Sequence, residues 1–344
     1  MSAPPRPPGP IPLLLLMPHS GCNCRCVMCD IWKDRRGTEL PVDRLRAWRD
    51  DLQRLGVVRV CLTGGEPLMH SRIDAFCAVL ADAGIAVTLL TTGLLLPKHA
   101  AVIGRCCDEV VVSLDGPPEV HDRVRRTRTA FDLLRGGTEA LRRDAAHVRV
   151  SARCTVQRAN ARHLRATVRA AEGLGVSTIS FLAADVSTEA FGRAGAAGAS
   201  LGDVVVGVED LPGLAAEIDA LEAERPDAFA SGFIVESPGK LRRRVLGHFE
   251  ALAGLRPWTA PTCNAPWVSA VVESDGTVRP CFFHAPIGNV FREGGLAAVV
   301  TGAAADGFRR TLDVATNDVC RRCVCSLNLR PADARLSRAM GAPA

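Results

Sequence analysis

The chain has 344 residues, of which 47% are hydrophobic and 23% charged, and its formal net charge is +5. This composition is typical of an ordinary soluble globular protein that is long enough for one large domain and one small one. The excess positive charge is modest, spread along the chain and not interleaved with aromatic residues. It therefore does not indicate a protein that binds nucleic acid.

The first part of the chain alternates between strand and helix patterns. An apolar run at 12–17 predicts a strand, helical spacing at 41–55 ends at Gly56, and the β-branched run at 57–62 is typical of a strand buried in a parallel sheet. The same patterns predict helices at 73–83, 97–107 and 160–173, a basic helical region that ends at Arg143, and strands at 85–91, 109–114, 147–156 and 176–182. Six strands that alternate with helices predict a parallel α/β sheet with right-handed crossovers. Periodicity alone leaves a partial barrel and a doubly wound sheet as alternatives.

The second part of the chain is organised differently. Residues 191–202 are rich in glycine and alanine and predict a flexible connection, and helical patterns follow at 211–224 and 238–255. We therefore divide the chain into a disordered tail (1–12), an α/β domain (13–190), a helical linker (191–256), a cysteine-bearing module (257–327) and a second disordered tail (328–344).

The cysteines bear on the cellular compartment. The fourteen cysteines cluster at 22–29, 263–281 and 320–325, which suits metal binding better than a disulfide framework. The proline-rich residues 1–10 lack the apolar run of a signal peptide, and the apolar stretch 11–17 is too short to cross a bilayer. We therefore expect a cytoplasmic protein with no membrane association; an exported disulfide protein is the alternative.

One short loop after the first strand carries three regularly spaced thiols. Cys22, Cys26 and Cys29 have the spacing C-x3-C-x2-C. Three thiolates can hold three irons of a cubane cluster and leave the fourth iron open. On this spacing alone, a zinc loop and three incidental cysteines are the alternatives. Cys24 is off the spacing, and we interpret it as a bystander.

Further candidate site residues follow the predicted strands, at the end where ligands bind in parallel α/β folds. The segment Gly64-Gly65-Glu66-Pro67 lets the backbone approach a ligand closely, and Glu66 offers an acceptor for a cationic group. Ser113 and Asp115 alternate to one face, although Asp115 could equally cap the next helix. Arg153 in the fifth strand is a candidate partner for a carboxylate.

The C-terminal cysteines predict a second metal site. Cys263 and Cys281 flank a β-hairpin whose turn is Asp275-Gly276, and Cys320 and Cys323 follow as a C-x2-C pair. Two plus two thiols make a closed site, for which zinc and an iron–sulfur cluster are both possible. Cys325 could replace Cys323. The remaining cysteines are interpreted as buried small apolar residues: Cys61, Cys77, Cys106, Cys107 and Cys154.

Over residues 13–327, these motifs resemble the radical S-adenosylmethionine (SAM) superfamily and, within it, the SPASM/twitch subclass. The cysteine loop and the Gly64–Pro67 segment match that family, and so does the spacing C-x12-G-x4-C followed by C-x2-C. Met28 departs from the pattern, because an aromatic residue usually precedes the third cysteine. The resemblance implies a partial (β/α)6 TIM-type barrel with a small C-terminal module of a β-hairpin plus a helix.

The resemblance also implies two [4Fe–4S] clusters and S-adenosyl-L-methionine as cofactors. One cluster would be bound by the three N-terminal cysteines and would chelate SAM through its open iron. Gly64 to Pro67 would contact the amino group of SAM, Ser113 and Asp115 its ribose, and Arg153 its carboxylate, the last by position only. An auxiliary cluster would have four ligands, Cys263, Cys281, Cys320 and Cys323.

A fully ligated auxiliary cluster has no vacant iron, which favours electron transfer and net oxidation of the substrate. The same auxiliary spacing occurs in the aminocyclitol dehydrogenase of butirosin biosynthesis. We therefore expect a radical SAM oxidoreductase that acts on a small polar metabolite of sugar or aminocyclitol type and takes electrons from a donor such as flavodoxin or ferredoxin. The alternatives are a peptide maturase, a redox-neutral epimerase or decarboxylase, and a non-catalytic zinc-binding protein.

Two roles are left open. The catalytic proton acceptor is not assigned, and the candidates are His121, Asp122, Asp185 and His284. A group of arginines at 123, 125, 126 and 128 is expected to form a solvated face, unless it folds over the barrel mouth to hold a phosphate.

Overall fold

A computed structural model describes residues 9–193 and 201–329. Most of both predicted tails and of the connection at 191–202 lies outside these ranges. Ile11 is fully buried and its N–H donates to the carbonyl of Leu55. The packed core therefore includes a residue that the predicted boundary at 13 assigned to the tail.

The strands form one nine-stranded sheet in the order β6-β5-β4-β3-β2-β1-β7-β8-β9. The strands are β1 (Leu13–Leu16), β2 (Arg59–Leu62), β3 (Ala86–Thr91), β4 (Glu109–Ser113), β5 (Arg149–Val156), β6 (Ile179–Ala183), β7 (Ser269–Val272), β8 (Thr277–Arg279) and β9 (Gly288–Asn289). Strands β1 to β6 are all parallel, as the alternating pattern predicted. The sequence did not predict that β7, the first strand of the hairpin, pairs in parallel with β1. The hairpin therefore extends the barrel sheet.

Helices connect the strands and cover one face of the sheet. In the first part of the chain they are α1 (Val42–Ala47), α2 (Arg49–Leu55), α3 (Ile73–Asp82), α4 (Leu96–Cys106), α5 (Pro118–Arg125), α6 (Ala130–Asp144) and α7 (Leu164–Gly173). In the second part they are α8 (Leu211–Glu224), α9 (Pro226–Ala230), α10 (Pro238–Leu241), a π-helix (Arg242–Leu246), α11 (Gly247–Leu252), α12 (Ala265–Val268), α13 (Leu296–Val300), α14 (Ala303–Thr311) and α15 (Asp318–Arg322). Among the described residues, no helix is both long and apolar enough to span a bilayer.

The two faces of the parallel sheet differ in chemistry. One face is apolar and fully buried under the helices, as at Leu14, Val60 and Val112. The other face is only partly buried and carries polar groups, because Ser113, Arg153 and Ser180 lie side by side in register on β4, β5 and β6. This second face lines the inside of the partial barrel. For β2, the expectation of burial on both faces is therefore wrong, since its residues alternate between half-buried and buried, whereas β3 is buried on both faces over most of its length.

Candidate functional site

The loop of Cys22, Cys26 and Cys29 follows β1 and is held by the last turn of α5. The N–H groups of Arg25 and Val27 donate to the carbonyls of Arg125 and Val124, at 3.3 and 3.0 Å. These carbonyls belong to the helix terminus, where they have no partner within the helix. The loop therefore satisfies the end of α5 while α5 fixes the backbone on both sides of Cys26.

The Gly64–Pro67 bend lies directly against this cysteine loop. The N–H of Glu66 donates to the carbonyl of Gly21 at 2.9 Å, and the N–H of Gly65 to that of His19 at 3.4 Å. A Cβ atom on Gly65 would collide with the carbonyl of Gly21, so only glycine allows this approach. The structure therefore brings together the two motifs on which the sequence prediction depends.

Glu66 is fully buried at the centre of this contact. Its carboxylate accepts hydrogen bonds from the N–H of Leu68 and from the hydroxyls of Thr91 and Thr92, at 2.8–3.1 Å, and also from the N–H of Thr92 at 2.8 Å. Burial raises the pKa of Glu66, and these hydrogen bonds oppose that rise. The carboxylate thus lies where the prediction needs it, beside the cysteine loop, and its contact with a cofactor amino group stays a prediction.

The thiols of the loop differ in how readily they ionise. Burial raises the pKa of Cys22 and of Cys29 to about 12. A hydrogen bond from Cys24 and the charge of Arg125 lower the pKa of Cys26 against the opposing effect of burial. Cys24 is itself buried against Cys26, so the interpretation of Cys24 as a mere bystander is incomplete.

The donor set of the N-terminal loop fits a cubane cluster. Cys22, Cys26 and Cys29 are free thiols of one loop, and each thiolate of a cubane binds a different iron. Within residues 9–193 and 201–329, no three His, Cys, Asp or Glu side chains converge closely enough to hold one metal ion.

Two of the predicted cofactor contacts line the barrel interior, and one does not. Ser113 and Arg153 lie next to each other on the inner face, where Nε of Arg153 donates to Oγ of Ser180 at 3.2 Å. Asp115 does not share that face, because it lies beyond the end of β4 and is fully buried. Its carboxylate is 2.5 Å from Nη2 of Arg125 and accepts the N–H of Thr155 at 2.9 Å. The expectation that Asp115 points into the barrel mouth is therefore wrong, and Asp115 does not cap α5 either.

The four candidate proton acceptors all have partners within the protein. Nδ1 of His121 accepts the N–H of Asp115, and Asp122 accepts the N–H of Phe131 near the start of α6. Asp185 accepts the hydroxyl of Thr188, and His284 lies against Cys320. None of these four is thereby assigned as the catalytic base.

The sequence analysis did not identify two charged residues that are buried near the site. Glu236 is buried in the predicted linker and accepts the N–H of Phe181 at the outer edge of β6, at 2.8 Å. Arg125 was grouped with exposed arginines, yet it is 6% exposed and paired with Asp115. No local pattern distinguishes either residue, because each owes its burial to a partner distant in sequence.

The C-terminal cysteines come together from three segments. Cys263 precedes α12, Cys281 follows β8, and Cys320 and Cys323 lie on and just after α15. Burial raises the pKa of Cys281 to about 12, and the neighbouring thiols of Cys320 and Cys263 add to that rise. Burial likewise raises the pKa of Cys323, with further contributions from Cys325, Cys281 and Cys263. The predicted ligands are therefore neighbours, and the choice between Cys323 and Cys325 stays open.

The C-terminal cysteine group lies beside the N-terminal cysteine loop. The carbonyl of Phe191 accepts the N–H of Asp30 at 2.9 Å, and its ring packs against Phe282, next to Cys281, with the ring centroids 4.9 Å apart. Nε2 of His284 is 3.4 Å from Sγ of Cys320, and Nη2 of Arg244 donates to the carbonyl of Cys323 at 2.5 Å.

Two family models match the chain. Residues 16–179 match the model described as "Radical SAM superfamily", and residues 263–324 match the SPASM model, described as "Iron-sulfur cluster-binding domain". These ranges contain the two cysteine groups described above.

Curated relatives resemble part of the chain. The AdoMet-dependent heme synthase of Methanosarcina barkeri is 30% identical over 167 residues, which is 45% of this chain and 46% of the relative. GTP 3',8-cyclase of a Synechococcus species is 36% identical over 38% of each chain. PqqA peptide cyclase of Bradyrhizobium diazoefficiens is 30% identical over 35% of this chain and 33% of the relative. The chain thus spans less than half the length of these relatives.

Solved structures superpose on a larger part of the chain than these relatives cover in sequence. Streptococcus suis SuiB bound to the precursor peptide SuiA superposes with a TM-score of 0.61 and 15% identity, covering 96% of this chain and 73% of SuiB. Native anSMEcpe with bound AdoMet superposes with a TM-score of 0.64 and 19% identity, covering 90% of this chain and 86% of the other. At these identities the likeness establishes the fold.

Proposed function

The chain belongs to the radical SAM superfamily, and on that premise we propose that this enzyme oxidises a small polar metabolite of sugar or aminocyclitol type. S-Adenosylmethionine and [4Fe–4S] clusters are the cofactors of its two domains. Bound at the N-terminal site, they supply a 5'-deoxyadenosyl radical that removes a hydrogen atom from the substrate.

We assign the cofactor contacts to residues that the fold gathers at one end of the barrel. Cys22, Cys26 and Cys29 hold the SAM-binding cluster, and the Gly64–Pro67 bend beside them carries the carboxylate of Glu66 toward the amino group of SAM. Ser113 and Arg153 on the inner face bind its polar groups, with Arg153 pairing to the carboxylate through charge-assisted hydrogen bonds. Asp115 is withdrawn from this set because its carboxylate is occupied by Arg125.

The chemistry of the barrel interior supports a polar substrate. Ser180, beside Arg153, contributes a hydroxyl to the partly buried face, and Leu15 and Leu182 contribute apolar surface. Such a mixture of hydrogen-bonding groups and apolar wall suits a hydroxyl-bearing ring.

The position of the C-terminal cysteines is the single observation that carries the oxidation proposal. Phe191 joins the two sites, because its carbonyl accepts the N–H of Asp30, next to Cys29, and its ring packs against Phe282, next to Cys281. The auxiliary site therefore lies close to the place where the substrate radical would form. Four thiolates, from Cys263, Cys281, Cys320 and Cys323, would leave that cluster without a vacant iron. It is then suited to accept the electron that remains on the substrate, and a donor such as flavodoxin or ferredoxin would reduce the N-terminal cluster.

Product analysis with deuterated substrates tests the proposal. Anaerobically reconstituted enzyme is incubated with SAM, reductant and a panel of sugars and aminocyclitols deuterated at each carbinol carbon. We expect deuterium in 5'-deoxyadenosine and a product that has lost one deuterium from carbon and one hydroxyl proton, at about one product per SAM consumed. A product isomeric with its substrate would instead establish redox-neutral chemistry.

A second panel of short peptides tests the peptide alternative, which is favoured by the relative named PqqA peptide cyclase. Formation of 5'-deoxyadenosine that depends on peptide and not on any sugar or aminocyclitol would overturn the substrate class. Purified protein that binds zinc and no iron would overturn the proposal as a whole.

A further inference from the structure

A buried arginine, with no role in the proposed function, lies against the thiol of Cys26 in the N-terminal loop. Nη1 of Arg125 donates to Sγ of Cys26 at 3.4 Å, and Nη2 is 2.5 Å from Oδ2 of Asp115. The side chains of Arg125 and Asp115 are 8% and 0% exposed. A guanidinium that spans a thiol and a carboxylate is fixed in orientation by its planar fork of donors.

The backbone around this pair holds both charges in place. Arg125 is the last residue of α5, which ends because Arg126 adopts the left-handed conformation with φ of 50°. Asp115 is anchored by the N–H of Thr155, which donates to its carboxylate, and by Nδ2 of Asn160, which donates to its carbonyl at 3.0 Å. The pair therefore links the segment after β4, α5 and the end of β5 to the cysteine loop.

We propose that Arg125 is a positioning residue that donates a hydrogen bond to the ligand sulfur of Cys26 and raises the reduction potential of the N-terminal cluster, with Asp115 as its counter-ion. This inference rests on the proposed function only in taking Cys26 as a cluster ligand. Reduction adds negative charge to a cluster, so a nearby cation and a hydrogen bond to a ligand sulfur favour the reduced form. The carboxylate of Asp115 acts in the opposite direction, and substitutions of the two residues should shift the potential with opposite signs.

Potentiometric titration of the reconstituted holoenzyme, followed by electron paramagnetic resonance, tests the proposal. The N-terminal cluster is identified as the one whose signal changes when SAM is added. In Arg125→Gln we expect the ratio of reduced to oxidised N-terminal cluster at a fixed potential to fall about tenfold, equivalent to a shift of about 59 mV for a one-electron couple. In Asp115→Asn we expect the ratio to rise, because the amide keeps the shape of the carboxylate and removes its charge.

Arg123 provides the matched control. It lies on the same helix, is exposed and donates to the carbonyl of Ala159, so Arg123→Gln removes the same charge without touching Cys26. We expect an unshifted N-terminal potential in this variant, and an unshifted auxiliary cluster in all variants. Equal shifts in Arg123→Gln and Arg125→Gln would overturn the proposal, because only remote charge would then be acting.

Arg125→Lys keeps the proposal testable if Arg125→Gln fails to fold or to bind iron. Lysine retains the charge and loses the planar fork of donors, so a fall in the reduced fraction relative to the wild type supports the positioned hydrogen bond, and a fraction equal to that of the wild type overturns it. If Asp115→Asn weakens SAM binding and leaves the potential unchanged, Asp115 contacts the cofactor and the counter-ion role is overturned. Wild-type protein without any SAM-responsive signal would overturn the proposed function itself, whereas a normal wild-type signal with unshifted variants overturns only the role of Arg125.

Discussion

The N-terminal cysteine group takes all its thiols from one loop, whereas the C-terminal group collects them from three separate segments. Closing a short loop around a metal group costs little chain entropy, and the Gly64–Pro67 bend and the end of α5 already hold that loop. The thiols of the C-terminal group come from the segment before α12, the segment after β8 and α15 with the residue after it, so the group requires these separate segments to pack together. The first site is thus organised locally, and the second depends on the completed fold.

The arginines beside the two sites differ in the same way. Arg125 is neutralised by a buried carboxylate and contacts a thiol directly. Arg244 donates to two backbone carbonyls, those of Thr259 and Cys323, and burial lowers its pKa. A site that binds and cleaves a cationic sulfonium compound is expected to need a fixed charge balance, and the paired arginine provides it. The C-terminal site, if it only passes electrons as proposed, is less demanding in its charge balance.

Removing one thiol from each group gives the largest expected effects. Because each site binds its own cubane, both Cys26→Ala and Cys320→Ala should lower the iron content from about eight to about four per chain. Cys26→Ala should abolish SAM cleavage, since no open iron remains to bind SAM. Cys320→Ala should retain SAM cleavage and lose net substrate oxidation. Iron analysis and chromatography of 5'-deoxyadenosine measure these outcomes.

Cys77→Ala is the matched control, because Cys77 is buried on α3 and belongs to neither group. It should keep about eight irons. A wild-type content of about four would remove the auxiliary cluster and, with it, the argument for oxidation. Comparison of Cys323→Ala with Cys325→Ala identifies the fourth ligand, since only the true ligand should cost about four irons.

Separating the bend from the N-terminal loop should have the next largest effect. Gly65→Ala places a methyl group onto the carbonyl of Gly21, so the hydrogen bond from Glu66 to Gly21 must break. We expect loss of SAM binding and of the N-terminal cluster, with the C-terminal cluster intact. Ultraviolet–visible spectra and iron analysis measure the cluster content, and equilibrium binding measures the affinity for SAM.

Gly136→Ala is the control for the general effect of replacing a glycine with alanine. Gly136 lies in α6 and a Cβ there meets no atom within 4 Å, so alanine should stabilise the helix by up to about 1 kcal/mol and leave both clusters in place. If Gly65→Ala also kept SAM binding, the contact between bend and loop would not matter for the site.

The sequence predicted the locally organised site better than the assembled one. Cys22, Cys26 and Cys29, and the bend that follows β2, are linear motifs whose spacing fixes their geometry. The pairing of β7 with β1 is a contact between the two ends of the fold, and no local pattern encodes it. The alternation of side chains along a strand correctly predicted that Ser113 lies on the inner face. Asp115 lies past the end of β4, where this alternation no longer applies. Partners distant in sequence determine where Asp115 and Arg125 lie.

The smallest expected effect concerns the histidine behind the N-terminal loop. Nδ1 of His121 accepts the N–H of Asp115, which requires an unprotonated nitrogen, and burial with the nearby charge of Arg125 lowers the pKa of His121 from 6.5 to about 3. Between these values the unfolded chain binds a proton that the folded chain does not, so stability is lost as the pH falls below about 6.5. At pH 5 the loss from this residue is about 2 kcal/mol.

His121→Asn removes that pH dependence, because the amide oxygen can accept the same hydrogen bond and does not titrate. Urea unfolding of holoenzyme at pH 7 and pH 5 should therefore show a loss of stability about 2 kcal/mol smaller in the variant than in the wild type. Any acid lability of the clusters is common to both proteins and cancels in this difference. His147→Asn, at an exposed position, should keep the wild-type difference. An equal loss in wild type and His121→Asn would mean that the ring accepts a proton in the folded state, and the charge balance inferred for the N-terminal site would then have to include it.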